Sequence, residues 1–284
     1  MKRPLVPTDY PGRGTLLSSY ADLILTLYVL AKATFLKSLM YVWAHLATNV
    51  GSLLFGFIYI ALWRAALHGR NVQGFGAQTL VHYIAVTQTV LWITTFLPRD
   101  LGISTLVHTG QIAIEFGRPV GFLKRTVASA AGDIFYNVMF RSSPLAAAFA
   151  IAGVYPWRNF SSWQTDGRFV LALAMGSLVG VFLQYMIGMS AFWTGETRWA
   201  RRLYFAVLVF AGGQILPLQL MPVALRSVLR WMPFQSMVNF PVSVMLHHAD
   251  AQAWMSAGVW VLVMGLGAHL ITRQAMRRVE IQGG

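Results

Sequence analysis

The sequence predicts an all-α integral membrane protein with six transmembrane helices, an N-terminal interfacial helix, and a re-entrant, amphipathic outer segment between helices five and six. Three observations carry this. The 284 residues are 56% hydrophobic and only 11% charged, with a mean hydropathy of +0.57, whereas a soluble domain carries about 25% charged residues. Apolar runs of about twenty residues, the length of a membrane-crossing helix, recur along the chain. Finally, residues 212–246 are apolar yet interrupted by Pro217, Pro222, Pro233 and Pro241. Each proline removes an N–H and clashes with the preceding turn, so this stretch cannot be one straight span. Irregular backbone at membrane depth survives only where protein or water covers it.

Taken in order, residues 1–19 read as a polar, Pro-rich cytoplasmic tail. No apolar core follows the basic start, as it would in a signal peptide. Residues 20–41 are apolar but carry Asp22, Lys32 and Lys37. They read as an amphipathic helix lying in the interface, with a seventh span as the rival reading. Spans follow at about 46–63, 78–97, 134–155, 169–193, 203–217 and 254–272, the fifth short and running on into the broken segment. Of the 22 Lys and Arg, Arg64, Arg70, Arg158, Arg168, Arg226 and Arg230 fall on one side of this arrangement. Arg141 falls within a span, and all the others lie on the opposite side. Basic residues are retained in the cytoplasm, so both termini, the connection 98–125 and the tail 273–284 are placed there. Residues 20–284 then form a single membrane domain.

The inner connection holds Leu106-Val107-His108-Thr109-Gly110-Gln111-Ile112-Ala113-Ile114-Glu115-Phe116-Gly117-Arg118-Pro119. This predicts a short helix ending near Gly117 and stopped by Pro119. In the outer segment, Pro222 opens a short helix reaching Met232. Helical spacing puts Leu225, Val228, Leu229 and Met232 on one face and Arg226 and Arg230 on another. Trp231 suits the headgroup level.

Little enzyme chemistry is present. No cysteine occurs, which excludes disulfides and thiolate chemistry. There is no phosphate-binding G-x-x-x-x-G-K-[ST], no G-x-S-x-G and no H-E-x-x-H, so no cofactor or metal is expected in this chain. A net charge of +13 would suggest nucleic acid in a soluble protein. Here it reads as membrane orientation, with lipids and no nucleic acid as partners. Asp133 is the one acidic residue near a span interior. Ion-coupled carriers place carboxylates inside the bundle, so the energy source is expected outside the chain. Asp133, Asn137 and Arg141 form a stripe at four-residue spacing. It reads either as a polar patch facing a substrate path or as a helix emerging into the cytoplasm with Arg141 snorkelling outward; the second reading is favoured. Ala172, Gly176, Gly180 and Gly188 recur at multiples of four, which close helix packing explains.

The order of these features resembles the permease subunit of a type 2 ABC transporter. The first span ends Leu62-Trp63-Arg64, and the inner loop runs Gly110-Gln111-Ile112 to Arg118-Pro119. Phe192-Trp193 closes span four. The outer segment runs Pro233-Phe234 to Phe240-Pro241, and the tail reads Arg277-Arg278-Val279-Glu280-Ile281-Gln282-Gly283-Gly284. Glu115 and Gly117 depart from a stretch that is usually aliphatic. The resemblance implies a non-catalytic permease of the bacterial inner membrane, exporting substrate with ATP and Mg held by a separate ATPase present in two copies. It also implies a second permease, identical or homologous, as partner. The ATPase-coupling contact would then fall on His108, Gly110, Ile112, Glu115, Phe116, Arg118 and Pro119, with Arg99 and Asp100 supporting the loop's geometry. The outer segment would cap the exit side. An ion-coupled carrier, and a membrane enzyme or assembly scaffold, stand as alternatives.

Overall fold

The computed structural model describes residues 16–67, 76–159 and 163–283. The tail expected over 1–19 lies outside them, apart from the first helical residues. Every regular element among the described residues is helical. Four helices are long and apolar enough to cross a membrane: Val42–Leu67, Phe122–Ile151, Asp166–Thr194 and Ala251–Arg278.

Helix α1 (Leu16–Leu39) precedes α2 (Val42–Leu67), with a turn at Met40 and Tyr41 between them. α1 lies against α6 (Phe122–Asn137). A Cβ on Gly132 would stand 2.1 Å from the Ala31 carbonyl oxygen, so only glycine admits this approach. Phe35 packs beside it on Phe135, Tyr136 and Phe140. Tyr20, Ile24, Leu25 and Tyr28 remain exposed on α1.

The spans expected at 78–97 and 203–217 are not among the four apolar helices, for different reasons. α3 (Ala77–Thr94) runs through the middle of the bundle, with Thr87, Gln88, Thr89 and Thr94 buried. Its polar side chains face protein, so it has no need of lipid-compatible composition. α10 (Arg198–Ala211) has 14 residues, about 21 Å of helix. It stops at Gly212-Gly213, where Gly213 takes a positive φ of 78°.

The helix that carries the expected third span begins at Phe122, ahead of Ile134. α6 continues through a π-helical turn at Val138–Ser142 into α7 (Ser143–Ile151). The extra turns hold Lys124 and Arg125, charges that count against a helix boundary in a hydropathy reading. Arg125 is nevertheless buried, because its partners are supplied by the chain.

The connection after α3 is a 3-10 turn, Arg99–Gly102, followed by α4 (Ile103–His108) and α5 (Ile112–Phe116). The single helix expected there is thus two. Gly110 separates them at φ 71°, a conformation costly for residues with a Cβ. α5 does end at Gly117, ahead of Pro119.

α8 (Trp163–Met189) leads into α9 (Ala191–Thr194). Beyond α10 come a 3-10 turn at Leu218–Leu220, α11 (Val223–Leu229), α12 (Pro233–Met237), α13 (Asn239–Met245) and α14 (Ala251–Gly283). Pro233 sits in the first turn of α12 and Pro241 in the first turn of α13, positions where the missing N–H costs no helical bond. α14 continues as helix through the expected tail.

α8 organises the rest. Cβ atoms on Gly176, Gly180 and Gly188 would stand 2.8, 2.1 and 2.6 Å from the carbonyl oxygens of Ser236, Thr94 and Asp100. The small-residue stripe therefore does serve close packing, but it receives backbone carbonyls from α12, α3 and the inner connection. On another face α8 meets α14, where Phe182 and Met186 sit over Gly265 and Gly267 and Tyr185 bonds Thr272 at 2.6 Å.

Candidate functional site

The connection 98–125 is held by two charged clusters. Asp100 is buried and takes φ 42°, a left-handed conformation that Asp tolerates better than most residues. Its carboxylate accepts from Ser104 Oγ at 2.7 Å and Thr197 Oγ1 at 2.8 Å, with Arg201 Nη1 at 3.5 Å. One side chain thus ties the end of α3 to the starts of α4 and α10, while its backbone rests on Gly188. Arg99 opens this turn; its side chain lies outside the described residues.

Glu115 forms the second cluster. Its carboxylate meets Arg125 Nη1 at 2.5 Å and Arg118 Nη2 at 2.9 Å. Arg125 also donates to the carbonyls of Glu115 and Val120. The acid that interrupts the usually aliphatic stretch therefore clamps α5 to α6. Phe116 continues the clamp, edge-on to Phe122 at 5.4 Å and stacked with Phe192 at 6.0 Å. Ile112 is buried beside Ile103 and Tyr185, so it anchors the loop from below. Of the residues expected to make the coupling contact, His108, Gly110, Arg118 and Pro119 are exposed, and so is Ile114 between them. Ile114 is 69% exposed, a large apolar side chain at the tip of an anchored structure.

Asp133, Asn137 and Arg141 all line one cavity of about 340 Å³ with Ser38, His45 and Tyr136. They lie within the continuous helix Phe122–Ile151 and have different partners. Asp133 accepts from Ser38 Oγ at 2.9 Å, which holds α1. Asn137 Nδ2 donates to the Trp92 carbonyl at 2.8 Å, which holds α3. Arg141 lies over the Trp92 ring at 4.0 Å and also borders a larger groove of about 1020 Å³.

The proline-rich segment is mostly interior. Pro217, Pro233, Phe240 and Pro241 are buried, Phe234 is half-buried against Tyr204, and Pro222 is exposed. Tyr83 Oη donates to the Gly213 carbonyl at 2.7 Å, with Asn239 Oδ1 at 3.1 Å, and Asn239 N donates to Gly212 O. α12 and α13 thereby pack among α3, α8 and α14. α11 is shorter than the helix expected from Pro222 to Met232. Leu229 is buried and Val228 exposed, while Arg226 donates to Gln219 O and Arg230 reaches Asp250 at 3.4 Å.

Comparison with protein families matches residues 50–283 to the description ABC-2 family transporter protein. The chain belongs to that family. It is an ABC-2 type transmembrane permease, a multi-pass membrane protein of a kind that works with an ABC ATPase subunit. No curated protein matches it.

Sequence reasoning passed over several residues that the structure brings to these clusters and cavities. Ile114 was legible only as one aliphatic residue among several. Thr197 and Arg201 gave no signal of contact with Asp100, because the partners are far apart in sequence. Arg198, Arg201 and Arg202 did carry a signal, since spacings of three and four put them on one face of α10. Gln184 and Tyr204, buried beside that face, did not.

Proposed function

We propose that this chain is the export permease of an ABC transporter, with 98–125 as the element on which a separate ATPase pushes. The observation that carries this reading is the anchored, exposed tip at Ile114. A docking element must transmit force, and this one is braced at both ends by Asp100 and by Glu115 with Arg125. It is also continuous with the Gly188 contact on α8. Movement at the tip therefore reaches α8 and, through Gly180 and Gly176, the backbone of α3 and α12. Two ATPase copies would drive two permeases, identical or homologous, between inward-open and outward-open arrangements, a rigid-body change.

Six spans fit this reading if α3 and α10 join the four apolar helices. Residues 212–246 then enter from the outer side as a re-entrant plug. Ser236 meets Gly176 near the middle of α8, so the plug reaches deep into the bundle. The excess of basic residues on one side supports cytoplasmic termini, and the family supports a bacterial inner membrane as the setting. ATP and Mg belong to the partner ATPase.

Mild-detergent purification from native membranes tests the proposal. The expected product is a complex with two ABC ATPase chains and two permeases by native mass. Transport by this chain reconstituted without an ATPase would contradict it.

A further inference from the structure

The larger groove opens between the end of α3, the π-turn, α8 and the first turns of α10. Its volume is about 1020 Å³, at the upper end of the usual range for small-molecule sites, roughly 300–1000 Å³. Four arginines border it, Arg141, Arg198, Arg201 and Arg202, and no Asp or Glu does. Two have partners nearby, since Arg198 pairs with Glu196 and Arg201 approaches Asp100. Arg202 is exposed without an ion pair among the described residues, and Arg141 Nε is buried with no hydrogen-bond partner. Membrane orientation alone accounts for arginines at this end of the bundle, but not for what stands behind them. Gln184 and Tyr204 border the groove, each less than a tenth exposed, and neighbour one another; beyond that pairing, Gln184 Oε1 and Tyr204 Oη meet no polar group of the described residues at hydrogen-bond distance. A buried amide and phenol with only each other still have hydrogen-bonding capacity to spare, which a native fold tends to use. The other walls are apolar, formed by Trp92, Phe96 and Phe205.

We infer that the groove binds an anionic amphiphile, a molecule with one phosphate, sulfate or carboxylate head and an apolar tail. Arg141 and Arg202 hold the head by charge-assisted hydrogen bonds. Gln184 and Tyr204 complete its polar shell, and the aromatic walls take the tail. A small inorganic anion would leave those walls unused, and a neutral hydrophobe would leave two guanidiniums uncompensated. The inference rests on the permease reading for what the occupant does, but not for whether it binds.

The test uses the full chain purified with its ATPase in phosphatidylcholine nanodiscs. The probes are palmitoyl lysophosphatidylglycerol, palmitoyl lysophosphatidylcholine and glycerol phosphate, with bound probe counted by native mass spectrometry. The anionic lysolipid should bind at least about tenfold more tightly than either other probe, and Arg202→Gln should remove about tenfold of that affinity. Arg158→Gln, at the opposite end of the bundle, should not. Arg202 is exposed, so its loss leaves the fold intact. If phosphatidylglycerol added to the nanodisc competes, the occupant comes from the bilayer; if it does not, the lysolipid reports a separate cargo. Either result keeps the assignment. Equal binding of both lysolipids, or no effect of Arg202→Gln, would overturn it. So would a Phe205→Cys variant that cross-links to a second copy regardless of probe, because the groove would then be filled by the chain itself. ATP hydrolysis in the same preparation reports separately on the permease reading.

Discussion

A Cβ on Gly188 would stand 2.6 Å from the carbonyl oxygen of Asp100. That contact joins the connection after α3 to α8, and it is one of three alike. Gly180 meets Thr94 and Gly176 meets Ser236 in the same way, so the glycines of a single helix bring it against the backbone of the inner connection, the central helix and the proline-rich segment.

Substitution along this line should be destabilising in proportion to the closeness of the carbonyl. Gly180→Ala is expected to cost at least about 1–3 kcal/mol, the usual penalty for overpacking. Gly167→Ala lies on the same helix with nothing within 4 Å of the added Cβ. It should be neutral or stabilising by up to about 1 kcal/mol. Thermal unfolding of the two variants in one detergent gives the comparison.

Asp100→Ala should loosen the connection without unfolding the bundle. It removes the acceptor of Ser104 and Thr197 and the counter-charge of Arg201. Hydrogen bonds to a charged group each contribute about 1.5–3 kcal/mol. ATPase binding should persist while transport per ATP hydrolysed falls. Asp100→Asn, which keeps an acceptor and tolerates the left-handed backbone, should lie between wild type and Ala. A flux and hydrolysis assay on the same proteoliposomes separates these outcomes.

These contacts mark where the sequence was informative and where it was not. The prolines announced the broken segment because Pro217, Pro222, Pro233 and Pro241 act locally on backbone geometry. Gly117 and Pro119 announced the end of α5 for the same reason. The depth of α12 and α13 was hidden, because Ser236 rests on Gly176 and Asn239 meets Tyr83, both remote in sequence. That the helix starts at Phe122, ahead of Ile134, was hidden because Arg125 looks like a loop charge until Glu115 is known to face it. The stripe from Asp133 to Arg141 was visible as a pattern. Its division among α1, α3 and the groove was hidden, because Ser38 and Trp92 are remote in sequence and Arg141 lies in a π-turn with no local signature.

Glu115→Arg should be severe, because it leaves the buried Arg125 facing another cation. Breaking a buried pair costs about 3–5 kcal/mol. The exchange Glu115→Arg with Arg125→Glu should recover part of the loss. Recovery stays partial because Arg125 also donates to the carbonyls of Glu115 and Val120. Protease sensitivity of the connection, read beside thermal stability, shows whether the damage is local.

The most direct measurement of the coupling claim uses the absence of cysteine from the chain. A single Ile114→Cys substitution places one thiol at the exposed tip, and Trp157→Cys places one on an exposed site in the connection before α8. In native membranes with a short bifunctional maleimide, Ile114→Cys should cross-link to an ABC ATPase, with a yield that changes when ATP is bound. Trp157→Cys should give no such product. Equal yields at the two positions, or no ATPase product at Ile114, would contradict the assignment of 98–125 as the coupling element.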